Sequence, residues 1–113
     1  MKEMNFMKYN ELDLLWLFES DPICSAKVDE YDGIFKYLKK SNGFEMEISF
    51  DVYENWLNVY LKYLGNIVFN ASLEKITALS RCEENLIVEM ENVPILKLGF
   101  KNQLSVELIS NNK

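Results

Sequence analysis

Phe44, Met46, Ile48 and Phe50 alternate with Glu45, Glu47, Ser49 and Asp51. A period of two is the pattern of a strand with one buried face and one wet face. It recurs in Leu57, Val59, Leu61 and Tyr63, then in Ile67, Phe69, Ala71 and Leu73, and then in Leu86, Val88 and Met90. Two further runs follow, Leu96, Leu98 and Phe100, and Leu104, Val106 and Leu108. Turn signals separate these runs at Asn42-Gly43, Glu54-Asn55, Gly65-Asn66, Glu83-Glu84-Asn85, Asn92-Val93-Pro94 and Lys101-Asn102-Gln103. Connections this short make neighbouring strands antiparallel, because a parallel return needs a crossover of about a dozen residues or more. With residues 34–39 and 76–80 included, about eight short strands form a meander over 33–109, either rolled into a half-barrel or folded into two layers.

Before Gly33 the pattern is different. Residues 10–20 predict one helix, with Asn10 as N-cap, Glu11 and Asp13 at the positive end of the helix dipole, and Ser20-Asp21-Pro22 as the stop. Its apolar residues, Leu12, Leu14, Leu15, Trp16, Leu17 and Phe18, go most of the way round, so one side packs on a sheet and the other lies under a loop or a partner. Residues 23–32 read as a loop or irregular edge, and residues 110–113 as a frayed tail. The fold class is α+β, mainly β: an antiparallel meander with one N-terminal helix, as a single domain over 1–113. The chain is 49% hydrophobic over 113 residues, enough for a real core.

Residues 1–9 lack a signal-like apolar stretch, and no apolar run approaches the roughly 20 residues needed to span a bilayer. Cys24 and Cys82 lack the close spacing of a metal or redox motif. They fit free thiols of a reducing cytoplasm, with a disulfide between them as the alternative.

The net charge is −6, and its distribution is uneven. Residues 10–32 carry Glu11, Asp13, Glu19, Asp21, Asp29, Glu30 and Asp32 against Lys27 alone, so this segment holds the whole imbalance. With Arg81 the single arginine, nucleic acid and anionic membranes are poor partners, and a cationic protein is a good one.

Catalytic chemistry finds little support. The chain has no histidine, so the commonest general base and metal ligand is missing. Its four glycines are scattered and make no phosphate loop. Glu45 with Glu47, and Glu89 with Glu91, are pairs about 7 Å apart on one strand face. They could do acid/base work or simply keep a wet face soluble. Asp29-Glu30-Tyr31-Asp32-Gly33 could wrap a hard cation or be a solvated turn, and it is no EF-hand loop. Neither cofactor nor metal is expected. Among the aromatic residues Trp16, Phe18, Tyr31, Phe35, Tyr37, Tyr53, Trp56, Tyr60 and Tyr63, most suit packing. Trp56 and Tyr60 alternate with Leu57, Val59 and Leu61, so they form either an outward anchor for a partner or a second core layer.

A short helix ending in Leu15-Trp16-Leu17-Phe18-Glu19-Ser20-Asp21-Pro22, an acidic loop, and a meander from Phe44-Glu45-Met46-Glu47-Ile48-Ser49-Phe50 to Leu104-Ser105-Val106-Glu107-Leu108 resemble the small immunity proteins of bacterial toxin–immunity systems, including those of contact-dependent inhibition. The resemblance implies a non-catalytic cytoplasmic protein that binds and neutralises one toxin domain, often a basic nuclease. The partner surface would then include Glu11, Asp13, Glu19, Asp21, Asp29, Glu30 and Asp32, with Trp56 and Tyr60 as anchors. Two other classes remain open, a structural or regulatory interaction subunit and a carboxylate hydrolase. On the immunity reading, charge reversal of Asp29, Glu30 and Asp32 weakens binding to the cognate toxin and lowers protection in a growth assay; unchanged protection would remove the acidic loop from the interface.

Overall fold

The computed structural model describes residues 6–19, 23–24 and 33–109. Asn10 caps helix α1 (Glu11–Phe18) by accepting from the backbone N–H groups of Leu12 at 2.8 Å and Asp13 at 3.2 Å. The helix ends at Glu19, whose left-handed backbone closes the last turn by donating to the carbonyl of Leu15. Leu14, Leu17 and Phe18 are buried, while Leu12, Leu15 and Trp16 stay exposed.

The strands form two antiparallel sheets. The first contains, in spatial order, β1 (Ile23–Cys24), β2 (Ile34–Ser41), β3 (Phe44–Asp51), β4 (Trp56–Tyr63) and β5 (Asn66–Leu73). The second contains β6 (Ile76–Cys82), β7 (Asn85–Met90), β8 (Val93–Gly99) and β9 (Ser105–Leu108). Of the two arrangements left open by the alternation, the structure adopts two separate sheets.

Tight turns set the register. Asn42 and Gly43 both have positive φ, 54° and 85°, the backbone twist that two-residue hairpins need. Leu64 and Gly65 do the same between β4 and β5, with φ of 51° and 88°. A leucine is poorly suited to that region, at a cost of about 1 kcal/mol or more, and Leu64 is 69% exposed, so packing does not explain its presence.

Inward-facing residues of both sheets form one buried cluster, including Met46, Ile48, Phe50, Leu57 and Val59 from the first and Ile76, Leu86, Val88, Leu96 and Leu98 from the second. A chain of rings crosses it. Tyr9 meets Phe50 at 5.2 Å, Phe50 stacks on Tyr37 at 6.2 Å, Tyr37 meets Phe18 at 5.3 Å, and Phe18 meets Phe100 at 4.9 Å. The N-terminal segment, the first sheet, the helix and the second sheet are thereby packed through one aromatic path.

The alternation misplaces Ile67, Tyr63, Leu108 and Asp51; Tyr63 and Leu108, each the last residue of its strand, are 41% and 71% exposed. Ile67 belongs to an apolar set that should face the core, yet it is 55% exposed. The register slips between Leu61 and Lys62, leaving Val68 as the extra residue, and this bulge places Ile67 opposite Lys62 on the solvent face. Asp51 falls on the wet side of the β3 pattern but is 2% exposed, because the following turn folds over it.

Among the described residues no ladder joins the two sheets, and other groups tie them together. One Asp51 carboxylate oxygen accepts from the N–H groups of Tyr53 at 2.9 Å and Glu54 at 3.1 Å, and the Asp51 carbonyl accepts from Asn55 at 2.8 Å. Asn55, set in the left-handed region, then binds both backbone groups of Ile76: its carbonyl accepts from the Ile76 N–H at 2.9 Å, and its side-chain amide donates to the Ile76 carbonyl at 2.8 Å. The N-terminal segment adds a second tie. Met7 donates to the carbonyl of Val52, at the start of the β3–β4 turn, and Lys8 pairs in parallel with β6 through Thr77 and Leu79.

Replacing Asp51 with Ala leaves the N–H groups of Tyr53 and Glu54 without their side-chain partner and empties the buried site that the carboxylate fills. The expected loss is about 2 to 4 kcal/mol, read as a lower urea midpoint. Asp51→Asn, which keeps one acceptor oxygen, is expected to lose about half as much.

Candidate partner-binding surface

Leu57, Val59 and Leu61 point into the core, so Trp56, Asn58 and Tyr60 share the outer face of the first sheet. All three are half-buried. Cross-strand register gives this face its chemistry: Lys36, Ser49, Asn58 and Ser72 form one row, and Leu38, Glu47, Tyr60 and Asn70 the next. Lys36 reaches Glu47 at 3.6 Å. The face is mostly polar, with two large aromatic side chains on β4, one strand in from the β5 edge.

At one end it opens into a cleft of about 830 Å³ lined by Trp56, Asn58 and Ser72 together with Glu54, Glu74, Lys75 and Glu91. Three acids against one base give the cleft a negative balance. Its lining comes from three separate connections, the β3–β4 turn, the β5–β6 connection and the β7–β8 turn, which meet where the chain passes between sheets. Sequence reasoning missed Glu54 and Glu74 because each looks like an ordinary turn residue, and it paired Glu91 with Glu89 on one strand face, whereas β7 ends at Met90 and Glu91 lies in the following turn with a left-handed backbone. The seam alone brings them together.

The helix acids lie elsewhere. Phe18 packs on Tyr37, which stacks on Phe50 on the inner face of the first sheet, so α1 and the Trp56–Tyr60 face are on opposite sides of that sheet. Asp13 pairs with Arg81 at 3.4 Å, and Glu19 pairs with Lys39 at 3.2 Å. The Arg81 guanidinium lies 4.2 Å from the centre of the Trp16 ring and also donates to the Glu83 carbonyl at 3.1 Å. Asp13 and Glu19 therefore help dock the helix on both sheets, while Glu11 is exposed at its first turn. Asp21, Asp29, Glu30 and Asp32, with the candidate cation loop, lie outside the described residues. Among the described residues no three His, Cys, Asp or Glu side chains are grouped to hold a metal ion. Cys82 is an exposed free thiol, and the Cys24 side chain lies outside the described residues. No helix among the described residues is long and apolar enough to cross a membrane.

No protein-family model matches the chain, and no curated protein matches it in sequence. Its structure is similar to a chain in the contact-dependent growth inhibition toxin–immunity protein complex from Klebsiella pneumoniae 342. The TM-score is 0.74, covering 93% of this chain and 96% of that one, at 19% sequence identity. The likeness is one of fold. It bears out, at that level, the layout that the sequence shares with toxin–immunity systems, and the match extends across nearly the full length of both chains.

Arg81→Met removes the ion pair to Asp13 and the charge above Trp16. It is expected to cost about 1 kcal/mol in urea unfolding and, in a Trp56→Phe background, to shift Trp16 emission to the red. An unchanged emission spectrum would show that Arg81 does not hold the indole.

Proposed function

We propose that this chain is the immunity partner of a contact-dependent growth inhibition toxin, a non-catalytic cytoplasmic protein that binds and neutralises one basic nuclease domain of that toxin. The observation that carries this reading is the fold shared with a chain of such a complex over 93% of this chain and 96% of that one. Such a complex has a toxin side and an immunity side, and composition favours the second. A chain without histidine lacks the commonest acid–base group, and a net charge of −6 suits the capture of a cationic partner.

The surface that fits this role best is the outer face of the first sheet with the adjoining cleft. Trp56 and Tyr60 supply rigid aromatic area, and Glu54, Glu74 and Glu91 surround Trp56 with negative charge. A lysine or arginine of the toxin entering this cleft would meet carboxylates and an indole together. Glu11 and the acids at Asp21, Asp29, Glu30 and Asp32 would act over longer range, speeding encounter without filling a pocket.

The test takes a candidate toxin domain from a reading frame neighbouring this protein's gene, measuring binding by calorimetry and protection by growth. Wild-type protein binds and protects. Trp56→Ala is expected to weaken binding at least tenfold, mostly through faster dissociation, as for a central aromatic anchor. The double variant Glu74→Lys, Glu91→Lys is expected to slow association and flatten its dependence on salt. Failure of the wild type to bind would end the immunity reading; binding unaffected by these variants would move the interface to another face.

A further inference from the structure

We propose that β5 is a self-pairing edge: two copies of this chain join β5 to β5 across a two-fold axis, so that their five-stranded sheets continue as one. The inference stands apart from the toxin reading and needs no toxin to test it.

The argument begins with how the open edges of the two sheets are managed. An unpaired edge invites another strand, and proteins blunt edges by shortening, charging or covering them. β1 has two residues. β9 has four and carries Glu107, paired with Lys97 at 3.4 Å. β6 is occupied by Lys8, which donates to the Thr77 carbonyl and accepts from the Leu79 N–H. β5 is different: it has eight residues, and among the described residues nothing pairs with its outer side. A bulge can itself blunt an edge, but the one at Val68 is confined to the first three residues of β5. It turns Ile67 and Val68 outward, at 55% and 56% exposure, and leaves Phe69 to Leu73 as a regular run. Tyr63 and Leu64 extend the apolar patch, with Leu64 held in a backbone region that disfavours it.

Charge selects the occupant. Residues 63–73 carry no charged side chain, the longest such run in a chain that is 27% charged. Two copies that each bear −6 repel most weakly where both surfaces are neutral, and β5 is that place. A basic toxin would instead be drawn to the acidic cleft. A two-fold antiparallel pairing also closes on itself, because each copy presents the same strand to the other.

Sedimentation equilibrium of the isolated full-length protein should give a concentration-dependent species at twice the 13.3 kDa chain mass. Hydrogen exchange should show the amides of residues 69–73 becoming protected as concentration rises. Val68→Lys places like charges at the junction and should raise the dimer dissociation constant about a hundredfold or more with an unchanged circular dichroism spectrum. Should that variant unfold, Asn70→Lys, at another exposed site on the strand, serves the same purpose. Leu108→Lys on β9 should remain dimeric. A monomer at every concentration, a dimer indifferent to Val68→Lys, a dimer broken by Leu108→Lys, or open-ended polymers would each overturn the proposal.

Discussion

The turn from Asp51 to Asn55 ties together two sheets that share no ladder among the described residues. Its strength comes from using every acceptor in reach. The Asp51 carboxylate closes the turn from inside, and the closed turn presents Asn55 so that its backbone and side chain together bind Ile76, the first residue of the second sheet. Burial of Asp51 makes this arrangement stiff, since a buried carboxylate that loses its donors forfeits the free energy that water would otherwise have supplied. The position of the cleft follows from the same contact. Trp56 begins β4 directly after the turn, Lys75 and Thr77 flank Ile76, and the cleft lies between them.

Much of the fold was legible because its rules are local. Asn42-Gly43 marks a hairpin by its backbone preference, and alternation assigns Met46, Ile48, Leu57 and Val59 to the core from their own neighbours alone. The errors at Ile67 and Asp51 occur where a distant contact decides. Ile67 is displaced by a one-residue slip against β4 that no pattern within β5 records. Asp51 reads as one more wet-face acid, and only the hydrogen bonds of the next four residues bury it, although an Asp followed by a polar turn is itself a signal for such a cap. The choice between a rolled half-barrel and two layers depended on Asn55 meeting Ile76, a contact across 21 residues.

The outward placement of Trp56 and Tyr60 was legible in the sequence, and the surroundings of that face were not. Trp56 and Tyr60 follow from alternation once Leu57 and Val59 are known to face inward. Counting charge along the chain located the acidic segment correctly but could not show which acids are free. Asp13 and Glu19 are neighbours of Lys39 and Arg81 only after the helix docks, and docking turns them from encounter charges into structural ones. The reverse happens at Glu54, Glu74 and Glu91, spread thinly along the sequence and concentrated by the seam.

Charge and shape therefore divide the work on this molecule. An acidic chain attracts cationic partners from all sides at long range, which sets how fast they arrive and says little about where they stay. Where they stay depends on desolvated contact, and the outer face of the first sheet offers that at Trp56 and Tyr60. The β5 edge lies beside this face, two strand positions from β3, and pairing along an edge leaves the faces of a sheet uncovered. Joining two copies through β5 would bring two Trp56–Tyr60 faces into one continuous sheet. The neutral edge and the acidic cleft thus make compatible demands on the chain, because each excludes the other's partner by charge.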